Sequence, residues 1–519
     1  MDSRALPALT RRHLLVWAAV PPALLAACAT PTATPPPFRD TDGLYRAVNR
    51  LGWGATQAQL EQAAQLGWGA YVDQQLKAEP RAPLPAAAQA QLDALSIERR
   101  GMAELVAEAD ELRRNQDKPP TEDERKATRQ AYQAALNLPA REAAHRQLLR
   151  QLYSRQQLLE QISWFWFNHF NVHQYKRELR VLLPDYEEAA LRPQALGSFR
   201  QLLGAVARHP AMLRYLDNDQ NSAVKPNENY ARELLELHTL GVDGGYSQRD
   251  VQELARVLTG FGVRTEPGRP RLRPEQESQY VRQGLFEFNP ARHDFGAKTV
   301  LGHAVQARGA AELDEVLDLL VAQPATARFI SRKLAVYFLS DAPPQPLVDA
   351  MAAAFQRSRG DIASTLRVLL LAPEFAAAQP AKFKDPQHYL LSSLRVVYGD
   401  AVILNSQPLQ GWLRRLGEGL YDRQTPDGYP LTAGAWDSAG QMSTRFELAR
   451  AIGAGPAGLF KTDALEAVNP PRPRLAEGSF YQRSLQAQLS AGTRAALAQA
   501  GSPQQWNALL LSAPEFMYR

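Results

Sequence analysis

Asn227-Glu-Asn-Tyr-Ala-Arg-Glu-Leu-Leu-Glu-Leu-His-Thr-Leu-Gly241 follows Pro226 and runs for about four helical turns without a breaker. Pro226 and Asn227 make a helix start, because an Asn side chain can accept from an unpaired first-turn amide. At about 100° per residue, Asn229, Arg232, Glu233 and Glu236 fall in one sector of roughly 100°, while Tyr230, Leu234 and Leu237 lie opposite. The same three-to-four spacing recurs outward from this segment. Leu44, Ala47, Val48 and Leu51 mark an earlier helix, Gly52-Trp53-Gly54 ends it, and Thr56 caps the next. Apolar helices end at prolines in Val206-Ala-Arg-His-Pro210, Val321-Ala-Gln-Pro324, Leu371-Ala-Pro373-Glu-Phe375 and Leu511-Ser-Ala-Pro514-Glu-Phe516. Proline fits a first helical turn, where no amide is needed, so each marks a helix-to-helix corner. The shared Ala-Pro-Glu-Phe suggests related helical units near 361–375 and 502–516. Strand character is confined to Gly284–Asn289 and Lys298–Leu301, read as a hairpin around Pro290. The pattern predicts a mainly α, multi-helix globular body with at most a small β-hairpin.

The ends of the chain carry a different signal. Arg11-Arg12 precede an apolar run from Leu14 to Ala27 that is too short to span a bilayer and is broken by Pro21-Pro22, as in a cleavable export signal. Leu25-Ala26-Ala27-Cys28 resembles a lipobox and contains the sole cysteine of the chain, so Cys28 is the expected lipidation site. Thr10-Arg11-Arg12-His13-Leu14-Leu15 resembles a twin-arginine motif. The expected organisation is a signal peptide over 1–27, a lipidated cysteine and Pro/Thr-rich tether over 28–41, and a helical segment over 42–97. A charged helical insert follows over 98–148, then a core helical domain over 149–395 and a C-terminal helical segment over 396–519. The location implied is the cell envelope, with the lipidated N-terminus holding the protein to a membrane.

Composition narrows the chemistry. A net charge of +5 spread over 519 residues argues against nucleic acid as a partner. One cysteine excludes a disulfide framework, a CxxC redox pair and a cysteine-ligated zinc site. Glu233 and Glu236 share a helical face with Arg232, an arrangement suited to acid/base work or to a solvated Arg-Glu face. Trp164-Phe-Trp166-Phe-Asn168-His169-Phe170 loads one helix with aromatics, which suits either a core stripe or a stacking surface for a sugar ring. His169 and His173 stand four residues apart with no third ligand in view, so no metal is assigned, and no cofactor is indicated. His238 projects onto the apolar side as a core histidine. His293-Asp294, with Lys298 behind, sits in a turn and is a stronger candidate.

Taken together these strings resemble a known family. Trp166-x-Asn-His-Phe170, His209-Pro-Ala-Met212, the 227–241 block, Gly245-Tyr-Ser-Gln-x-Asp250-Val, Leu258-Thr-Gly260 and His293-Asp294-Phe-Gly-x-Lys298 resemble the bacterial family called domain of unknown function 1800. The likeness runs from about Leu44 to Arg519 and departs from a minimal member through the lipobox and the 98–148 insert. It implies export and a sulfatase-like partner protein. It also implies that Asn168, His169, Asn227, Glu228, Asn229, Arg232, Glu233, Glu236, His293, Asp294 and Lys298 belong to a site.

Two functions follow as expectations. One is a hydrolase or lyase on a polysaccharide or similar envelope polymer. Glu233, Glu236, His169, His293 and Asp294 would be its catalytic groups; Trp166, Asn168, Asn227, Glu228, Asn229, Arg232 and Lys298 would bind substrate. Two carboxylates three residues apart stand close for that chemistry, so Asp294 or Asp250 is an alternative second carboxylate. The other is a non-catalytic assembly or carrier protein in which the polar helix is a structural network.

Overall fold

All four proline corners open a helical turn: Pro210–Tyr215, Pro324–Phe338, Pro373–Ala376 and the 3₁₀ turn Pro514–Met517. The computed structural model describes residues 41–77, 79–377, 381–462 and 470–519, so the expected signal run, Cys28 and the expected tether up to residue 40 lie outside the described residues, and Thr41 opens the first helix instead. Helix Thr41–Leu51 buries Ala47, Val48 and Leu51, and Thr56 caps Gln57–Leu66 by accepting from the Gln59 amide. The two Ala-Pro-Glu-Phe units follow one local plan. Asp361 and Ser502 each cap a helix, Ile362–Leu370 and Pro503–Leu511, and the phenylalanine after each proline turns into the interior.

These elements build a mostly helical body around one continuous apolar core, to which residues from Ala47 to Met517 contribute. Within 98–148 lie Met102–Asn115 and the start of Glu122–Tyr153, which pack on each other. Thr121 and Glu124 form a capping box at the start of the longer helix, and Pro139 sits inside it. Its charged first half faces solvent, but Leu136, Ala140, Ala143, Ala144 and Leu148 join the core, so this helix is anchored rather than detached. Among the described residues, no helix is long and apolar enough to cross a membrane.

The β structure corrects the hairpin reading. Phe286–Phe288 pairs antiparallel with both Phe261–Val263 and Val281–Gln283, whereas Lys298–Val300 pairs with His303–Val305. The two stretches expected to pair lie in different sheets because the 3₁₀ turn Pro290–Arg292 leads the chain away from the first sheet. Leu301 and Gly302 both take positive φ (50° and 75°), which closes the second hairpin in two residues and suits the right-handed twist of the strands.

The 227–241 segment is α-helical over Glu228–Leu235 and then widens into a π turn over Glu236–Leu240. Asn227 caps it as expected, accepting from the Asn229 amide at 3.0 Å. π turns of this kind often accompany functional positions because the extra residue re-aims the side chains that follow. Here the turn carries His238, Thr239 and Leu240 into the interior, against the Pro324–Phe338 helix.

Candidate functional site

The Gln157–His169 helix is buried on nearly every side, and its few buried polar groups in the first turns are matched, Glu160 by Arg192 at 2.6 Å and Gln161 by the Tyr337 hydroxyl at 2.7 Å. Trp164, Phe165, Trp166 and Phe167 are each buried, and the Trp166 indole donates to the Ala195 carbonyl at 2.9 Å. Trp166 therefore has no open ring face for a sugar. The aromatic load is core packing, with Trp166 wedged against Phe165, Phe170 and Phe199.

A second polar cluster lies where this helix ends. Asn168 grips the backbone of Tyr429 twice, donating to its carbonyl at 2.9 Å and accepting from its amide at 2.6 Å. Asn171 donates to the carbonyls of Arg423 and Thr425, and the Tyr215 hydroxyl donates to that of Gln424 at 2.8 Å. Three side chains thus pin the 423–429 loop against the helix end. Gly428 permits the closest approach: its φ is +76°, and a Cβ there would lie 2.1 Å from the Asn168 carbonyl oxygen. Asp427 is exposed beside it and is paired with Arg423 at 2.9 Å.

His169 is buried between two partners. Nε2 lies 3.1 Å from the His238 carbonyl, and Nδ1 lies 3.0 Å from the Lys333 ammonium. A carbonyl only accepts, so the proton is on Nε2 and Nδ1 accepts from lysine. Burial, then the Lys333 charge, holds the imidazole well below the ordinary histidine range, consistent with a neutral ring. Burial pulls Lys333 itself down to about 8, with Asp427 as the opposing negative charge. Glu233 is half-buried and pushed up, first by burial and then by the Glu236 charge; Arg232 opposes this and Asp427 adds to it. Tyr215 is also raised, by burial first, and feels both Asp427 and Glu233. A neutral imidazole and an amine biased toward its free base are thus in contact, and the charge of Asp427 acts both on that amine and on a glutamic acid biased toward its neutral form. Opposed shifts of this kind suit proton transfer near neutral pH.

The other expected residues divide into two groups. Asn227 and Asn229 donate to the carbonyls of Asp217 and Leu216, and so serve the backbone. Glu228, Arg232 and Gln248 form a surface triad (Arg232 to Glu228 at 3.3 Å, to Gln248 at 2.9 Å), so Arg232 does not clamp Glu233. Glu236 accepts from the Tyr246 hydroxyl at 3.1 Å.

His293, Asp294 and Lys298 belong to a separate network. Both His293 ring nitrogens face acceptors, Nδ1 the Thr259 carbonyl at 2.8 Å and Nε2 the Glu312 carboxylate at 3.1 Å. Lys298 reaches Glu312 at 2.8 Å and the carbonyls of Asp294 and Gly296. The side chains of His293, Lys298 and Glu312 are wholly buried. Asp294 is held by Arg256 and by the Gly296 amide, and Arg256 first of all keeps it down at about 2. Asp250 caps a helix through Ser247 and also accepts from the Leu301 amide. Among the described residues, no hydrogen bond or ion pair joins this network to His169, Glu233 or Lys333. His238 is a buried core histidine, but among the described residues its ring nitrogens have no hydrogen-bond partner. No group of three or more His, Cys, Asp or Glu side chains is placed to hold a metal among the described residues, and His173 turns to Asp422 at 3.4 Å.

The family model for the protein of unknown function DUF1800 matches residues 46–518. The chain belongs to this family. No curated protein and no solved structure matches it. Family membership fits the motif residues found at the end of the Gln157–His169 helix and along the 227–241 segment. Two members of the cluster, Lys333 and Asp427, were not expected from the motifs. Lys333 interrupts the apolar stripe Ile330, Leu334, Tyr337, and a lysine in such a stripe is a signal in itself. Asp427 sits in Thr425-Pro-Asp427-Gly428, a strong turn sequence.

Proposed function

We propose that this DUF1800 protein is an exported, lipid-anchored hydrolase or lyase that cleaves a polysaccharide or similar envelope polymer by acid/base chemistry centred on Glu233. The observation that carries the proposal is the Lys333–His169 contact, an amine shifted down on a neutral imidazole, together with a half-buried Glu233 shifted up, Lys333 and Glu233 each feeling the charge of Asp427. Glu233 in its neutral form donates a proton to the leaving oxygen. Lys333, its charge weakened by burial and its ammonium seated on His169, orients an anionic group or accepts a proton as the free base. Asp427 takes the role of second carboxylate in place of Glu236, because it arrives from a different element and escapes the crowding of two acids on one helix. Lipidation of Cys28 and a sulfatase-like partner complete the reading.

The test is Glu233→Gln assayed on a panel of envelope and plant polysaccharides. The expected result is loss of cleavage by at least about a hundredfold with an unchanged melting temperature. An uncut panel with the wild-type chain, or full activity in the variant, overturns the reading. A second reading, an assembly or carrier protein, is favoured by the internally satisfied His293–Glu312–Lys298 network. It predicts that the wild-type chain cleaves nothing on the panel and that substitutions within the structural network lower the melting temperature. Labelling of the wild-type chain, but not of Cys28→Ala, with a radioactive fatty acid tests the anchor.

A further inference from the structure

A cleft of about 750 Å³ lies where the Glu122–Tyr153 helix meets residues of the 407–421 stretch and the turn at Gln174 and Tyr175. We infer that this cleft binds an acidic polysaccharide, a polyuronate-like chain with a carboxylate on successive rings. The inference extends the polymer-cleaving reading above and rests on it for the reason a polymer is held.

One helical face supplies most of the lining. Lys126, Arg129, Gln133, Asn137 and Arg141 recur every three or four residues, so they line one side of the helix. From Lys126 to Arg141 that stripe rises about 22 Å, the length of an oligomer rather than a single ring. Its charge is mainly positive: Lys126, Arg129, Arg141 and Arg414 stand against Glu122. Arg129 is engaged by Asp117 and Glu122, at 3.0 and 3.5 Å. Among the described residues Lys126 and Arg141 have no ion pair, and Arg414 donates only to the Gln410 backbone at 3.3 Å. Free cations at both ends of the stripe, Lys126 and Arg141, and Arg414 from the Gln407–Arg415 helix, suit a chain that carries several carboxylates along its length.

The amides are oriented for hydroxyls. Arg180, which can only donate, bonds the side-chain oxygens of Gln133 and Asn137 at 3.2 and 2.6 Å. Their NH₂ groups must then point away from Arg180 and are left as donors. Tyr175 contributes a ring that is 50% exposed, unlike buried Trp166, and that already carries the Arg180 guanidinium 5.5 Å from its centroid. Unpaired cations, outward amide donors and an exposed tyrosine suit a charged, polyhydroxylated chain better than a neutral or an apolar one. The loop that contributes Leu420 and Tyr421 to this cleft also carries Asp427, the aspartate felt by Glu233 and Lys333.

The experiment is calorimetric titration of the full chain with polygalacturonate, with neutral dextran and single-stranded oligo-dT as comparisons. Polygalacturonate is expected to bind, more weakly as salt rises, and dextran is not. Tyr175→Ala and Arg141→Glu are each expected to weaken binding about tenfold or more, equivalent to about 1.4 kcal/mol, with melting temperatures unchanged because both side chains are exposed. Glu233→Gln is expected to bind as the wild type does. Binding without cleavage therefore upholds the cleft while the catalytic reading falls. Equal binding of dextran, wild-type affinity in both cleft variants, or tighter binding of oligo-dT overturns the inference.

Discussion

Glu312→Gln separates the structural from the chemical role of the His293-Asp294-Lys298 motif. In the native protein Glu312 Oε1 takes His293 Nε2 and the amides of Arg308 and Gly309, each at 3.1 Å, while Oε2 takes Lys298 at 2.8 Å. Glutamine keeps one oxygen for the first three donors but presents an NH₂ to the lysine, donor against donor, where both side chains are wholly buried. Breaking a buried pair by neutralising one partner costs about 3–5 kcal/mol. Lys298 retains the carbonyls of Asp294 and Gly296, which places the expected loss at the lower end, about 3 kcal/mol. Urea unfolding near neutral pH reads it directly. Glu312→Gln combined with Lys298→Met removes both charges and should recover part of the loss. The pH dependence has a defined sign. Although burial alone would raise it, the His293 and Lys298 partners hold the Glu312 carboxyl below its ordinary value of 4.5. Its contribution is therefore present above that value and is lost as pH falls through the folded value. The acid-side loss should be smaller in the glutamine variant. A Glu312→Gln protein within about 1 kcal/mol of wild type would refute the reasoning. If it had also lost turnover, the network would belong to the reaction rather than to the fold.

Lys333 gives the same sign in a more alkaline window, although here folding favours the neutral form. Between its folded value of about 8 and the ordinary 10.5, the unfolded chain holds a proton that the folded one has released. Stability should therefore rise with pH across that window, and Lys333→Met should flatten the rise, read by urea midpoints at about pH 7 and about pH 10. Gly428→Ala forces a Cβ at positive φ toward the Asn168 carbonyl, with an expected cost of about 2 kcal/mol or more. Faster limited proteolysis within 419–430 would show that the loop carrying Asp427 has been released.

What could be read from the sequence depended on how far each residue's partner lies along the chain. Helices, caps and proline corners use partners within a few residues, and Asn227, Thr56 and Pro324 are found in the roles their neighbours imply. The projection of 227–241 as one straight helix placed Glu233 on a polar face and Tyr230 and Leu234 in the core. It could not show the π turn after Leu235, because periodicity assumes a constant twist. The hairpin failed for a related reason: strand propensity marked the right residues, but the pairing of Phe288 with Phe261 is set by tertiary context.

The candidate site is assembled almost wholly from distant pairs, Asn168 with Tyr429 across 261 residues and His169 with Lys333 across 164. No local pattern fixes such a pair. A family motif marks residues that matter without saying why, and the two motif clusters show the difference. At His293 and Lys298 the donors present are met by buried acceptors, and the carboxylate between them is saturated. At His169 a neutral imidazole accepts from an amine weakened by burial, and on the 227–241 segment Glu233 is pushed up first by burial and then by the Glu236 charge, with Asp427 adding to it. Groups that burial holds away from their ordinary protonation state are the ones whose energies respond most to a new charge or hydrogen bond beside them. That makes the end of the Gln157–His169 helix, rather than the 293–298 turn, the place where a ligand changes the energy most.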